Sequence, residues 1–168
     1  MTSYQTDVGV AFFLFTIIMQ EFKSFLAEVK PKYIITDRKR SKITTSEDAY
    51  KAMIPHYDHD TINYHEQAVV LYLNRANNTV GVQRLAIGGI SGCVMDGKIV
   101  FAMALQTGAS GIILSHNHPS GERNPSNADI SLTKELTSFG KMINLNIMDH
   151  LIITDKGYVS FQEEGLLR

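Results

Sequence analysis

Thiols are nearly absent from this chain: one cysteine, Cys93, in 168 residues. That excludes an intramolecular disulfide and every zinc site needing two or more thiolates. Any metal must be held by histidine and carboxylate, and a reducing, cytoplasmic setting fits. An excess of one charge is lacking too, with 16 Lys+Arg against 17 Asp+Glu. Domains that grip nucleic acid non-specifically usually carry a large positive excess, so charge gives direct DNA binding no support. No apolar run reaches the ~20 residues of a bilayer-spanning helix. Residues 8–19, VGVAFFLFTIIM, stop at 12. As a signal peptide this run lacks a basic start, because only Asp7 precedes it, and no small-x-small site follows among Gln20, Glu21, Phe22 and Lys23. Neither membrane insertion nor secretion is expected. Gly88, Gly89 and Gly92 lack GxGxxG spacing and read as loop glycines.

What is present is an ordinary globular composition, 44% apolar and 20% charged, at a length that suits one compact unit. Residues 1–30 read as an N-terminal extension. Its first 18 residues are either an element packed on the domain or incidental residues before an internal start, and Phe22, Phe25, Leu26 and Val29 follow at helical spacing. Pro31 ends that helix, and residues 31–168 form the domain proper. Residues 33–36 read as an edge strand and 37–42 as a solvated basic turn. A helix begins at a Thr45 or Ser46 cap and stops at Pro55. AVVLYL, NRANN and TVGVQRLAI then spell a β-hairpin over 68–87.

A helix over 96–106 carries Ile99, Val100, Met103 and Ala104 at helical intervals before Gly108. GIILS at 111–115 is apolar on both faces, the pattern of a central strand covered from both sides. A helix over 130–143 and strands over 145–153 and 157–161 complete the chain. The fold class is α/β, a mixed sheet with helices against it.

The chemistry concentrates at the exit of the 111–115 strand. His116 and His118 are two apart, and alternate residues of extended chain point the same way, so both imidazoles can aim at one point. Asp129, at the start of the next helix, can fold back as a third ligand. Two histidines and one carboxylate leave a coordination position open, the style of a catalytic metal that activates water. Glu66, entering the first hairpin strand, is the candidate general base. Ser126 can donate to the oxyanion of a tetrahedral intermediate, cap the helix, or do both. His150 beside Asp149 supports the site or packs on a strand face, the latter favoured. His56, His59 and His65 with Asp58 and Asp60 read as a solvated linker, and Cys93 as inert.

HNHPSG at 116–121, with Ser126 and Asp129 beyond it and Glu66 before a hairpin, resembles the JAMM motif of the JAB/MPN superfamily. More closely it resembles the RadC family. ISG at 90–92, IILSHNHPSG at 112–121, PSNADISLTKEL at 125–136 and MDHLIIT at 148–154 extend the similarity over about residues 66–166. The resemblance implies a three-layer JAB/MPN fold similar to cytidine deaminases. It also implies Zn²⁺ on His116, His118 and Asp129, Glu66 as general acid/base, and Ser126 as oxyanion partner. Deaminase activity is not implied, since the thiolate ligands are missing. Lys98 stands where the family usually has arginine, and lysine cannot make a planar bidentate contact. The helix-hairpin-helix DNA-binding domain that many members of the family carry is not expected within these residues.

The expected function is a zinc-dependent hydrolase attacking an amide or isopeptide carbonyl in a peptide or protein substrate. A DNA-repair or mobile-element accessory with a structural or vestigial metal site is the alternative, and a metal-dependent phosphoesterase ranks third. Exposed strand edges make a homodimer an expectation.

Overall fold

The computed structural model describes residues 40–167. The extension at 1–30, the strand expected at 33–36 and the first residues of the basic turn lie outside them. The rest of that turn is solvent-exposed but tethered by its backbone. Residues 40–42 are exposed, yet Lys42 bridges Asn78, Thr79 N donates to Ser41 O and Ile43 N donates to Asn77 O.

The first helix, α1 (Ser46–Met53), starts at a capping box. Thr45 Oγ1 accepts from Asp48 N, and the Asp48 carboxylate accepts from Thr45 N and Thr44 N. A 3₁₀ turn containing Pro55 ends it. The hairpin follows as β1 (Gln67–Leu73) and β2 (Thr79–Ile87), antiparallel. Its turn places Asn77 at φ 55°, a left-handed conformation that asparagine tolerates better than most residues. Helix α2 (Gly97–Thr107) is capped by Asp96 and closed by Gly108 at φ 65°. β3 (Gly111–Asn117) then runs to α3 (Asn127–Met142), and the chain closes with β4 (Asn146–Thr154) and β5 (Gly157–Ser160).

The five strands form one mixed sheet in the order β2-β1-β3-β4-β5. Only β3 and β4 pair in parallel, with α3 as their crossover. Period-2 alternation divides the buried residues between the two faces. Ala68, Val70, Tyr72, Ile112 and Leu114 pack with Val100, Phe101 and Ala104 of α2 and Leu136 of α3. Val69, Leu71, Leu73, Ile113, Leu151 and Ile153 pack with Ala49 and Met53 of α1 and with Tyr57. A sheet covered on both faces gives the three layers expected. β1 and β3 are buried at every position, which is why they read as continuous apolar runs. Along α2 the buried stripe is Val100, Phe101 and Ala104, while Ile99 faces outward.

Candidate metal centre

β3 extends two residues beyond its apolar core, and His118 N donates to Ile153 O of β4 at 2.9 Å, so the chain stays extended through both histidines. The two imidazoles therefore point the same way, and their Nε2 atoms lie 3.0 Å apart. Helix α3 delivers Asp129 from its first turn. Asp129 Oδ1 is 3.2 Å from His116 Nε2 and Oδ2 is 3.5 Å from His118 Nε2. Among the described residues these three are the one His/Cys/Asp/Glu group whose ligand atoms converge closely enough to hold a metal ion.

The protons can be assigned by following the carbonyls, which only accept. Thr133 Oγ1 donates to Asp129 O at 2.6 Å, so it accepts from His150 Nδ1–H at 2.7 Å. His150 is fully buried, and burial pushes its pKa well below the usual histidine value. It is neutral, so its Nε2 is bare and accepts from His116 Nδ1–H at 2.9 Å. His118 Nδ1–H donates to Glu122 O at 2.8 Å. In the neutral form of each ring Nε2 therefore carries the lone pair, directed at the other ring and at a carboxylate. Two neutral-ring nitrogens and the two oxygens of a carboxylate at 3.0–3.5 Å repel unless a proton or a cation lies among them, and a divalent cation satisfies all of them at once. The donor set fits a divalent metal.

Protons on the two Nε2 atoms, each donating to Asp129, are the alternative to a cation. Burial alone would raise the Asp129 pKa, but hydrogen bonds from His116, His118 and Ser126 outweigh it and hold the carboxyl far below its ordinary range. His118 is pulled upward, first by its hydrogen bond to Asp129 and in smaller part by the charges of Asp129 and Glu66.

Ser126 is the N-cap of α3. Its Oγ accepts from Asp129 N at 3.1 Å and donates to Asp129 Oδ2 at 2.6 Å, so one hydroxyl both caps the helix and holds the carboxylate. Glu66 lies outside the three-ligand group. It is half-buried, two residues before Ala68, the β1 partner of His116, and near enough for its charge to act on His118 and Cys93. Its backbone is held by Gly89 O and Gly88 N, and among the described residues its carboxylate has no hydrogen-bond partner. The close Gly88–Gly92 approach in that loop leaves no space for a Cβ at Gly88.

A profile of the RadC-like JAB domain family matches residues 43–166. The chain belongs to the RadC-like JAB domain family. It is 44% identical over 128 residues to a UPF0758 protein of Flavobacterium johnsoniae, covering 76% of this chain and 55% of that one. A UPF0758 protein of Methanococcoides burtonii is 36% identical over 134 residues, covering 80% and 57%. One from Listeria monocytogenes is 32% identical over 132 residues, covering 79% and 58%. The chain thus spans a little over half the length of these relatives.

Within this RadC-like domain the site includes more than its sequence pattern singles out. His150, expected to pack on a strand face, instead joins His116 to Thr133, with its ring stacked on Phe161 at 4.8 Å. Thr133 and Asn117 were not anticipated. A histidine between Asp149 and the apolar run 151–153 signals His150, and an asparagine between two candidate ligands signals Asn117. Of the 56–65 cluster, His56 and His59 are exposed as a solvated linker requires, but the His65 side chain is half-buried and its carbonyl is bonded by Asn117. Burial, then the charge of Glu66, raises the Cys93 thiol pKa, which leaves little thiolate. Lys98 is exposed in the first turn of α2. No helix among the described residues is long and apolar enough to cross a membrane.

Proposed function

We propose that this RadC-like JAB domain is a zinc-dependent hydrolase acting on an amide or isopeptide bond of a peptide or protein. The observation that carries this reading is the convergence of two imidazole Nε2 nitrogens and a carboxylate at the end of β3. His116, His118 and Asp129 would hold Zn²⁺, which, with a position left open, lowers the pKa of a water to ~7 and polarises a carbonyl.

Glu66 would do the proton work. Its carboxylate takes a proton from the attacking water as the C–O bond forms, then gives it to the amine nitrogen as the C–N bond breaks. A carboxylate with no hydrogen-bond partner among the described residues is free for both steps. The Ser126 hydroxyl, once its bond to Asp129 is released, is a donor for the developing oxyanion. Thr133 and His150 keep the His116 proton on Nδ1, so Nε2 stays available.

The test combines zinc analysis with a panel of peptide and isopeptide substrates. Wild type should contain zinc, and His118→Ala should lose it. Glu66→Gln should keep its zinc and lose about 10²–10⁴-fold in turnover. Equal zinc in wild type and His118→Ala would exclude the site. Wild-type turnover in Glu66→Gln would exclude the base.

A further inference from the structure

Alternation along β3 and its extended continuation sends His116 and His118 toward α3 and sends Ser115 and Asn117 to the opposite face. There Ser115 Oγ meets the Tyr57 hydroxyl at 2.7 Å, and Asn117 meets the segment that leads into β1. Asn117 is completely buried, and its side chain binds only backbone. Oδ1 accepts from Gln67 N at 2.5 Å, while Nδ2 donates to Ile62 O at 2.5 Å and to His65 O at 3.0 Å. The amide orientation is unambiguous, because Gln67 N–H can only donate and the two carbonyls can only accept. Two of the three bonds fall on the residues flanking Glu66.

The β1–β3 ladder runs from Leu73↔Gly111 to Ala68↔His116 and stops there. One step further on, the Asn117 side chain takes over the Gln67 amide, so the two strands remain tied where their ladder has ended. The other side of Glu66 is held by the Gly88–Gly89 loop, through Glu66 N to Gly89 O at 2.9 Å and Gly88 N to Glu66 O at 2.7 Å. Of these restraints, only the Asn117 bonds refer the position of Glu66 directly to the strand that carries both histidines. The Gln67 side chain reinforces them by bonding Asp58 N at 2.8 Å and Asp58 O at 3.0 Å.

We infer that Asn117 is a positioning residue, a side-chain clamp that fixes the Glu66 carboxylate relative to the metal-binding imidazoles. It touches neither metal nor substrate, and the inference rests on the hydrolase reading above. The clamp explains how a base and a metal from separate parts of the chain can be held to the tolerance that proton transfer requires.

The test uses the full chain loaded with Co²⁺ as a visible probe, comparing wild type, Glu66→Gln, Asn117→Asp and Asn117→Ser. Asn117→Asp keeps the acceptor for Gln67 N but turns a carboxylate oxygen toward the Ile62 and His65 carbonyls. Both Asn117 variants should bind one equivalent of Co²⁺, as wild type does. Both should shift the pH dependence of the cobalt spectrum in the direction Glu66→Gln shifts it, and neither should add to the shift when combined with Glu66→Gln. A wild-type pH dependence in the Asn117 variants overturns the clamp and leaves the hydrolase reading standing. Failure of wild type to bind cobalt, or no response to Glu66→Gln, overturns both. Hydrogen exchange of the wild-type protein adds a measurement that needs no variant: the Gln67 amide should exchange at least tenfold more slowly than that of Tyr64, an exposed turn residue, and equal rates overturn the clamp.

Discussion

His150 Nε2 lies 2.9 Å from His116 Nδ1, and the proton in that contact belongs to His116. The assignment follows from the next link, where Thr133 Oγ1 donates its own proton to Asp129 O and so must accept from His150 Nδ1. A buried threonine on α3 thereby determines which nitrogen of a β3 histidine carries a lone pair.

Thr133→Val removes that determinant with little change in volume. His150 would be free to move its proton to Nε2, against His116, and push the His116 proton into the ligand position. Zinc affinity should fall about 10–100-fold, as is typical for loss of a group that orients a metal ligand. Competition with a chromogenic chelator measures it, and unchanged affinity would show that the proton chain has no influence on the metal.

Ser126 combines a structural role with a proposed chemical one, and two substitutions separate them. Ser126→Ala should destabilise the domain by about 1 kcal/mol through loss of the α3 cap, whereas Ser126→Gly should cost only a few tenths. Turnover should fall equally in both. If turnover instead tracks urea stability, the hydroxyl serves as a cap alone.

Gly88 sits where a Cβ would lie 2.2 Å from Gly92 O and 2.7 Å from Cys93 Cα, and both are backbone atoms. Gly88→Ala must therefore deform the loop that bonds the Glu66 backbone, and about 1–3 kcal/mol of destabilisation is expected. Gly92 has nothing within 4 Å of a built Cβ, so Gly92→Ala should stay within about 0.5 kcal/mol of wild type in chemical denaturation. Equal effects at the two positions would remove the steric account.

Hydrogen bonds from Thr44 and Thr45 hold the Asp48 pKa at about 2, below its ordinary 3.8. A depressed carboxyl pKa contributes stability that is present above the unfolded value and disappears as pH falls through the folded one. Asp48→Asn should accordingly lower Tm at neutral pH, with the gap to wild type closing between pH 3.8 and about 2. A gap independent of pH would assign the loss to something other than the ionised cap.

Much of the site was readable because its logic is local. His116 and His118 share a direction through period-2 alternation, and Ser126 and Asp129 meet through a capping box that joins residues three apart. Both are consequences of backbone geometry within one element. The continuous apolar runs of β1 and β3 likewise announced strands covered on both faces. Even so, 111–115 understated β3, because the polar residues that extend it to Asn117 owe their strand conformation to neighbours in the sheet.

By itself the sequence determined the element types, the α/β class, the metal-ligand candidates and the direction in which the two imidazoles point, since each depends on residues a few positions apart. Only the tertiary structure decided that β1 lies antiparallel to β3 and β4 parallel to it, because pairing depends on which distant strands share a buried face. That pairing, with the α3 crossover, brought His150 to His116 and Thr133 to His150 from separate parts of the chain. It also gave Asn117 its partners: a side-chain amide selects whichever unpaired backbone groups the fold places beside it, and no spacing in the sequence names them.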